Sequence, residues 1–364
     1  PSTPSTDSDV SKSMIASRTP ERSGSRLGAA WLLSGIGAVL VAGVVGVATG
    51  PVSIPIGQVI RELLDRLPLI AVDSSLSTTE QAIVWDIRAP RVVLGLLVGA
   101  LLAGSGAAYQ GVFRNPLADP YLLGIAAGAG LGATIAIVTE LRDVFGFINP
   151  VPFAAFAGAL LAVTAAGTLS VRRGRIGSPA TLILAGVAVA NFFTAIQTFV
   201  QQQNSETLQQ VFAWILGRLS TAGWGEVRLL LPYAVLCSLG MLLSVGALDV
   251  LAVGDEEAST LGLNPRATRR VVLVVASLAA AAAVAVSGLI GFVGLVVPHA
   301  VRMMAGASHR RVLPLSLLFG GAFLALADVA ARTIQAPAEL PIGVITAFIG
   351  APFFLLILRR QLTS

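Results

Sequence analysis

The sequence has few charged residues for its length. Of its 364 residues, 12% are charged and 55% are hydrophobic, and the mean hydropathy is +0.83. Soluble domains carry roughly 25% charged residues. The low charge therefore excludes an ordinary soluble domain and indicates a chain that is surrounded by lipid.

Lysine, cysteine and histidine are almost absent. Lys12 is the only lysine, which excludes a phosphate-binding loop of the type GxxxxGKS or GxxxxGKT, so an ATPase that drives this chain would be a separate polypeptide. Cys237 is the only cysteine, which excludes an internal disulfide framework and a cysteine-rich metal site. His299 and His309 lack a second ligand at helical spacing. We therefore predict no catalytic residue, no metal site and no enzyme activity.

Long apolar stretches predict ten membrane-spanning helices after a polar tail. Residues 1–26 are rich in Ser, Thr and Pro and are predicted to be a disordered tail. The charge-free stretch 271–301 is too long for one crossing, and Ser287-Gly288 and Pro298 can divide it into two helices. The predicted helices are 27–50, 88–112, 119–138, 150–172, 179–203, 226–246, 268–288, 291–304, 311–334 and 341–359.

The distribution of basic residues orients these helices. Ten crossings place both termini on one side. With a cytoplasmic N-terminus, sixteen of the 24 basic residues fall on the inside and eight on the outside. Because cytoplasmic segments carry an excess of Lys and Arg, we predict that both termini are cytoplasmic.

Four motifs resemble a known family. Along the chain they read RAPR (88–91), QGVFRNPLADPYLLG (110–124), GFVGLVVPHAVR (291–302) and ELPIGVITAFIGAP (339–352). Together they resemble the permease subunits of ABC importers for ferric siderophores, haem and vitamin B12. The resemblance extends from about residue 30 to the C-terminus and covers the predicted ten-helix permease domain, 27–364.

The resemblance implies an all-α fold of the type II ABC importer permease, with ten transmembrane helices in two inverted five-helix repeats. It implies a homodimer around a central pore in the bacterial plasma (inner) membrane. The implied partners are a cytoplasmic ABC ATPase dimer, an extracytoplasmic substrate-binding protein and membrane lipid, but no nucleic acid. ATP and Mg²⁺ would be bound by the ATPase, so this chain is expected to hold no cofactor.

The resemblance also assigns two docking sites. Arg88, Arg91 and Arg332 lie at predicted outer helix ends, where the family's matching arginines receive glutamates of the binding protein. Arginine suits this role because it forms bidentate pairs with carboxylates. Residues 248–266 match the cytoplasmic coupling segment, two short helices that contact the ATPase. Its predicted contact residues are Gly254, Glu257, Ala258, Leu261 and Gly262.

The gate and the pore are assigned in the same way. Asn115, Leu117, Pro179 and Ala180 match the family's cytoplasmic gate, although Pro179 and Ala180 replace small hydroxyl residues of the vitamin B12 permease. The fifth and tenth helices would line the pore with uncharged polar groups, which hold a bulky solute only weakly. The predicted pore-lining residues are Asn191, Thr194, Gln197 and Thr346.

Two functions remain open from the residues. The first is the pore subunit of an ATP-driven importer for an iron chelate, haem or cobalamin, between which the motifs do not discriminate. The alternative is an ion-coupled secondary carrier without a separate ATPase. Such carriers place ionisable residues within the membrane. Asp328 is the main candidate here, but Arg332 follows it by four residues and can form a pair with it instead.

Overall fold

The structure is a computed structural model that describes residues 28–50, 52, 54–66, 76–141, 149–172, 175–176, 179–220 and 223–363. The predicted disordered tail, residues 1–26, lies outside the described residues.

The described residues form an all-helical fold apart from two strands of two residues each. These strands, β1 and β2, pair as an antiparallel ribbon. A π-helical segment, Ile83–Arg88, joins α3 to α4, and two 3₁₀ turns cover Pro120–Leu123 and Ser205–Thr207. The elements in chain order are α1 Ala29–Ala48, α2 Ile56–Asp65, α3 Thr78–Ala82, α4 Ala89–Phe113, α5 Ile125–Val138, α6 Pro150–Leu169, β1 Val171–Arg172, β2 Arg175–Ile176, α7 Pro179–Gln203, α8 Leu208–Ile215, α9 Trp224–Leu243, α10 Val245–Val253, α11 Asp255–Thr260, α12 Pro265–Ser287, α13 Val293–Ala305, α14 His309–Thr333 and α15 Ile342–Thr363.

Seven of the described helical runs are long and apolar enough to cross a membrane. They are α1, the run from α3 through α4, and α6, α7, α9, α12 and α14. Three shorter apolar segments accompany them: α5, α13 and the part Ile342–Ile357 of α15. A spanning helix needs about 20 apolar residues at 1.5 Å per residue, so α5 and α13, with 14 and 13 residues, reach across only part of an average bilayer core.

Glycine and a left-handed residue divide the long charge-free stretch 271–301. Helix α12 ends at Ser287, and Gly288 has a φ of 72°. Residues 288–292 are not helical, and α13 begins at Val293 after Phe292, whose φ is 68°. A positive φ lies outside the right-handed helical region. Gly288 therefore ends α12, and Phe292 changes the direction of the chain before α13.

Helix α4 is the buried centre of the bundle and packs closely on α12, α13 and α14. A Cβ added at Gly99 would lie 2.2 Å from the carbonyl oxygen of Gly320 on α14, and one added at Gly106 would lie 1.9 Å from that of Gly294 on α13. Helices that associate in lipid depend on such small residues, because no hydrophobic force drives their association there. The glycines of α4 therefore allow its backbone to contact the backbones of α13 and α14 directly.

The loop before α4 contains structure that the apolar stretches did not predict. Helix α2 is amphipathic and buries Val59 and Glu62. The Glu62 carboxylate accepts a 2.7 Å hydrogen bond from the Trp85 indole nitrogen. Ser77 and Glu80 form a capping box at the start of α3. The helical run that contains α4 thus begins at Thr78, ahead of the predicted start at residue 88.

Candidate functional site

The end of the bundle where α4 begins holds a buried ion-pair cluster. Arg91 donates to Asp328 on α14 through Nε (2.9 Å to Oδ2) and Nη2 (2.9 Å to Oδ1). The same guanidinium donates to Glu339 through Nη1 (2.8 Å) and Nη2 (3.0 Å). Arg332 lies 3.6 Å from Asp328, which confirms the predicted i,i+4 pair. Because Arg91, Asp328 and Arg332 are buried, their two positive charges and one negative charge are held in the interior as a group that Glu339 makes neutral.

Arg88 and Arg332 also hold the end of α1. Arg88 Nη1 donates to the carbonyl oxygens of Val47 and Ala48 at 3.0 Å each. Arg332 Nη2 donates at 2.5 Å to that of Gly46. These carbonyls lie in the last turn of α1, where helical partners are missing. The two arginines therefore satisfy a helix C-terminus.

The three predicted docking arginines are thus internally paired and buried in this structure. Arg88 is 4% exposed, Arg91 8% and Arg332 3%. The prediction placed them at outer helix ends for a partner to reach, but each of them already donates hydrogen bonds within the chain. Glu339 is the most exposed partner in the cluster, with 34% of its side chain accessible. Sequence analysis missed Glu339 as a partner of Arg91, because the two residues meet only in the folded chain.

The opposite end of the bundle presents the predicted coupling segment as two short helices, α10 and α11, that meet at Gly254. Glu257 and Leu261 are exposed there, and 68% of Leu261 is accessible. Leu261 therefore presents an apolar side chain beside the three consecutive acids at 255–257, as the predicted coupling contact requires. Ala258 is the exception in the predicted set, because it is completely buried and faces this chain instead of a partner.

Asp255 anchors the coupling segment to two helices of the bundle. Arg269 of α12 donates to its carboxylate from Nη1 (2.6 Å) and Nη2 (2.5 Å). Arg114, at the end of α4, donates to the same carboxylate. The hydrogen bonds from Arg269 hold the pKa of Asp255 below its ordinary value. A lowered pKa keeps the carboxylate ionised at neutral pH, so the anchor is lost only when pH falls through that lowered value.

Gly262 ends α11 in a left-handed conformation with a φ of 82°. The Gly262 N–H donates to the Ser259 carbonyl, and the Leu263 N–H donates to the Ala258 carbonyl. This pair of bonds is a Schellman motif, in which glycine avoids the steric cost of a positive φ. The turn sets the direction in which Leu261 projects.

The predicted gate residues lie at the same end as the coupling segment. Asn115 and Leu117 are exposed in the turn after α4, and the Asn115 side chain accepts a 2.9 Å hydrogen bond from the Leu117 N–H. Pro179 is the first residue of α7, and Ala180 beside it is exposed. Arg114 connects this turn to Asp255, so the predicted gate and coupling segment share an ion pair.

The predicted pore-lining residues do not share one face. Asn191 and Thr194 are exposed on α7, whereas Gln197 is buried against Gly130 of α5. Residues i and i+6 of an α-helix lie about 120° apart, which explains why Gln197 turns inward. Thr346 of α15 is also completely buried and donates to the Gly343 carbonyl. Of the four, Asn191 and Thr194 are accessible.

Asn191 lines a cavity of about 400 Å³ with α13 and the non-helical residues before it. Phe292 stands at the cavity wall, and a Cβ added at Gly350 of α15 would come within 2.3 Å of its ring. Phe292 belongs to the third motif, but no role for it was predicted from the sequence. Its position between Ser287-Gly288 and α13 is the signal that could have singled it out.

His, Cys, Asp and Glu side chains are the candidate metal ligands in the part of the chain that the structure describes. No group of three or more His, Cys, Asp or Glu side chains comes together there as a metal site. His309 instead lies 3.1 Å from the Asp249 carboxylate through Nδ1.

The comparisons with known proteins identify the family. The model of the FecCD transport family matches residues 38–360. The chain belongs to the FecCD transport family. Among curated relatives, a cobalamin import system permease of Halobacterium salinarum is 44% identical, covering 78% of this chain and 75% of that protein. A hemin transport system permease of Yersinia pestis is 43% identical, covering 76% of this chain and 84% of that protein.

Further FecCD relatives and a solved structure agree. An Fe(3+)-citrate import system permease of Bacillus subtilis is 35% identical, covering 89% of this chain and 95% of that protein. A solved chain of a metal-chelate type ABC transporter in an inward-facing conformation is 29% identical. It covers 90% of this chain and 98% of its own length, with a TM-score of 0.78. The helical bundle is therefore that of an ABC transporter permease, a multi-pass membrane protein.

Proposed function

We propose that this chain is the pore-forming subunit of an ATP-driven importer for an iron chelate, haem or cobalamin. Each chain crosses the bacterial plasma membrane ten times, in two inverted five-helix repeats, with both termini in the cytoplasm. Two copies of the chain form a homodimer. An ATPase dimer binds from the cytoplasm and a substrate-binding protein from outside. The three relatives named above carry three different cargoes, which supports the class of bulky solute rather than one member.

The observation that carries the proposal is the coupling segment. Its exposed Leu261 can enter a groove on a partner, while Asp255 fixes the segment to α4 and α12. A displacement of α11 by the ATPase is therefore transmitted through Arg114 to the turn that holds Asn115 and Leu117. Movement of this turn would open a gate of small residues that closes by packing and dewetting.

Reconstitution tests the function. Proteoliposomes that contain this chain, its ATPase and its binding protein are expected to accumulate at least one of labelled cobalamin, haemin or ferric citrate when ATP is supplied. Vesicles with this chain alone are expected to accumulate none. Uptake without the ATPase that follows a proton or sodium gradient would instead establish the ion-coupled carrier.

Docking of the binding protein follows from the same proposal. Glu339 is the accessible carboxylate on Arg91, so a glutamate of the binding protein would replace it on the guanidinium. Replacement leaves Asp328 in place beneath Arg91 and keeps the buried charges paired. Under this proposal Arg88 and Arg332 shape the outer surface by holding the end of α1.

Glu339→Gln is expected to tighten docking of the binding protein about fivefold, because the neutral amide competes less well for Arg91. The measurement is the dissociation constant between the binding protein and the permease in nanodiscs. Glu140→Gln removes the same charge from an exposed site without a carboxylate bond to arginine among the described residues, and it is expected to change the constant less than twofold. Equal affinities in the two variants would contradict a role for Arg91 in docking.

A further inference from the structure

A second cavity lies at the coupling-segment end, between α6 and α12, with α4 and α7 behind it. Its volume is about 190 Å³. About half of the lining residues are aliphatic, and they include Val112, Leu123, Val163, Leu182 and Leu273. Val274, which also lines the cavity, is 59% exposed. The cavity is therefore accessible from the surface of the bundle, and its inner walls suit a hydrocarbon chain.

Three arginines from the first two turns of α12 line the same cavity: Arg266, Arg269 and Arg270. Arg266 and Arg270 are exposed and have no hydrogen bond or ion pair with any residue that the structure describes. Arg269 is paired with Asp255, yet its Nε is buried without a hydrogen-bond partner in the described chain. None of the described residues that line the cavity is acidic. The rim thus carries an excess of positive charge and an unused donor.

The aliphatic walls and the arginines at the rim together determine which class of ligand fits the cavity. A small soluble anion would pair with the arginines but leave the aliphatic walls empty. A zwitterionic lipid would fill the walls but bring a cation to the arginines. An anionic phospholipid satisfies both, because basic pockets between membrane helices bind anionic lipid head groups.

We propose that this cavity binds one anionic phospholipid, with its phosphate at Arg266 and Arg270 and an acyl chain between α6 and α12. In the orientation proposed above, this end of the bundle lies in the cytoplasmic leaflet. The site goes beyond the import function and does not depend on it. Because Arg269 borders the lipid and holds Asp255, the lipid lies one side chain away from the coupling segment.

Native mass spectrometry of the purified full chain in detergent tests the proposal. The protein is titrated with phosphatidylglycerol, with phosphatidylcholine and with glycerol phosphate, and bound molecules are counted per subunit. The first phosphatidylglycerol is expected to bind at least about fivefold more tightly than the first phosphatidylcholine. Glycerol phosphate is expected not to displace it, since the head group without chains leaves the aliphatic walls unused.

Charge variants locate the site. The double variant Arg266→Gln with Arg270→Gln is expected to weaken binding of the first phosphatidylglycerol about tenfold or more. Binding of phosphatidylcholine is expected to stay unchanged. The matched control is Arg218→Gln with Arg228→Gln, which removes two exposed arginines from the opposite end. That control is expected to bind phosphatidylglycerol as the unaltered protein does.

A steric pair of variants tests the chain-binding wall without any change in charge. Gly167 of α6 lines the cavity, and a Cβ added there would meet no atom within 4 Å. The leucine side chain of Gly167→Leu is expected to fill this space and to abolish tight binding of the first lipid. Gly43→Leu, at an equally open position on α1, is expected to retain it.

Several results would overturn the site. These are equal phosphatidylglycerol affinity in the Arg266/Arg270 variant, unchanged binding in Gly167→Leu, or displacement by glycerol phosphate. Loss of the lipid from dimers but not from monomers would assign the cavity to a contact with a second copy of the chain. None of these readouts involves uptake, so failure of the import assay leaves them interpretable.

Discussion

Arg91→Gln is expected to lower the free energy of unfolding by about 3–5 kcal/mol, the largest loss for any single side chain considered. Arg91 provides two of its donors to Asp328 and two to Glu339. Without Arg91, the Asp328 carboxylate, which is 2% exposed, keeps Arg332 at 3.6 Å as its one ion-pair partner among the described residues. Removal of one partner of a buried ion pair leaves the charge of the other partner uncompensated. The resulting loss of stability is larger than the stabilisation that the intact pair provides. The measurement is reversible unfolding in mixed micelles of increasing denaturing detergent.

Two further variants test the origin of this loss. Arg218→Gln removes an exposed arginine from the same end and is expected to change stability by less than about 0.5 kcal/mol. A double-mutant cycle of Arg91→Gln with Asp328→Asn is expected to give an interaction energy of about 1–3 kcal/mol. Additive effects in that cycle would show that the loss of stability does not come from the Arg91–Asp328 pair.

Leu261→Asp is expected to weaken binding of the ATPase at least about 100-fold and to abolish ATP-driven uptake. Leu261 is 68% exposed at the end of α11, where the proposed partner groove would bury it. A few residues in desolvated pockets near the centre of an interface carry most of its binding free energy, and an aspartate in such a pocket would lose its hydration without a partner. The measurement is the dissociation constant between ATPase and permease in nanodiscs, with uptake measured in parallel.

Two further variants distinguish loss of the Leu261 contact with the ATPase from general destabilisation of the fold. Leu141→Asp makes the same change at an exposed leucine near the opposite end and is expected to leave ATPase binding intact. Asp255→Asn weakens the anchor but keeps Leu261 exposed, so assembly persists while uptake per ATP hydrolysed falls. Unchanged ATPase affinity in Leu261→Asp would remove the coupling role from this residue.

Sites that depend on one element could be predicted more closely than sites that combine several. Asp328 and Arg332 are four residues apart on one helix, and their pairing followed from spacing alone. Arg91 and Glu339 are 248 positions apart, and no local pattern connects them. Gln197 was assigned to the same face as Asn191, but helical rotation and the approach of Gly130 turned it inward. Ala258 was placed in the contact surface, and packing buried it.

Composition, apolar stretches and motifs by themselves determined a helical membrane chain, the regions in which its long apolar helices lie, and its resemblance to a family. These properties are local, since the cost of burying charge in lipid applies to each segment separately. Only the tertiary structure decided which arginines are satisfied internally, which residues of the coupling segment face outward, and which cavity gathers Arg266 and Arg270. Those outcomes depend on close approach between helices far apart in the chain, and the small residues of α4 that permit it reveal no partner in the sequence.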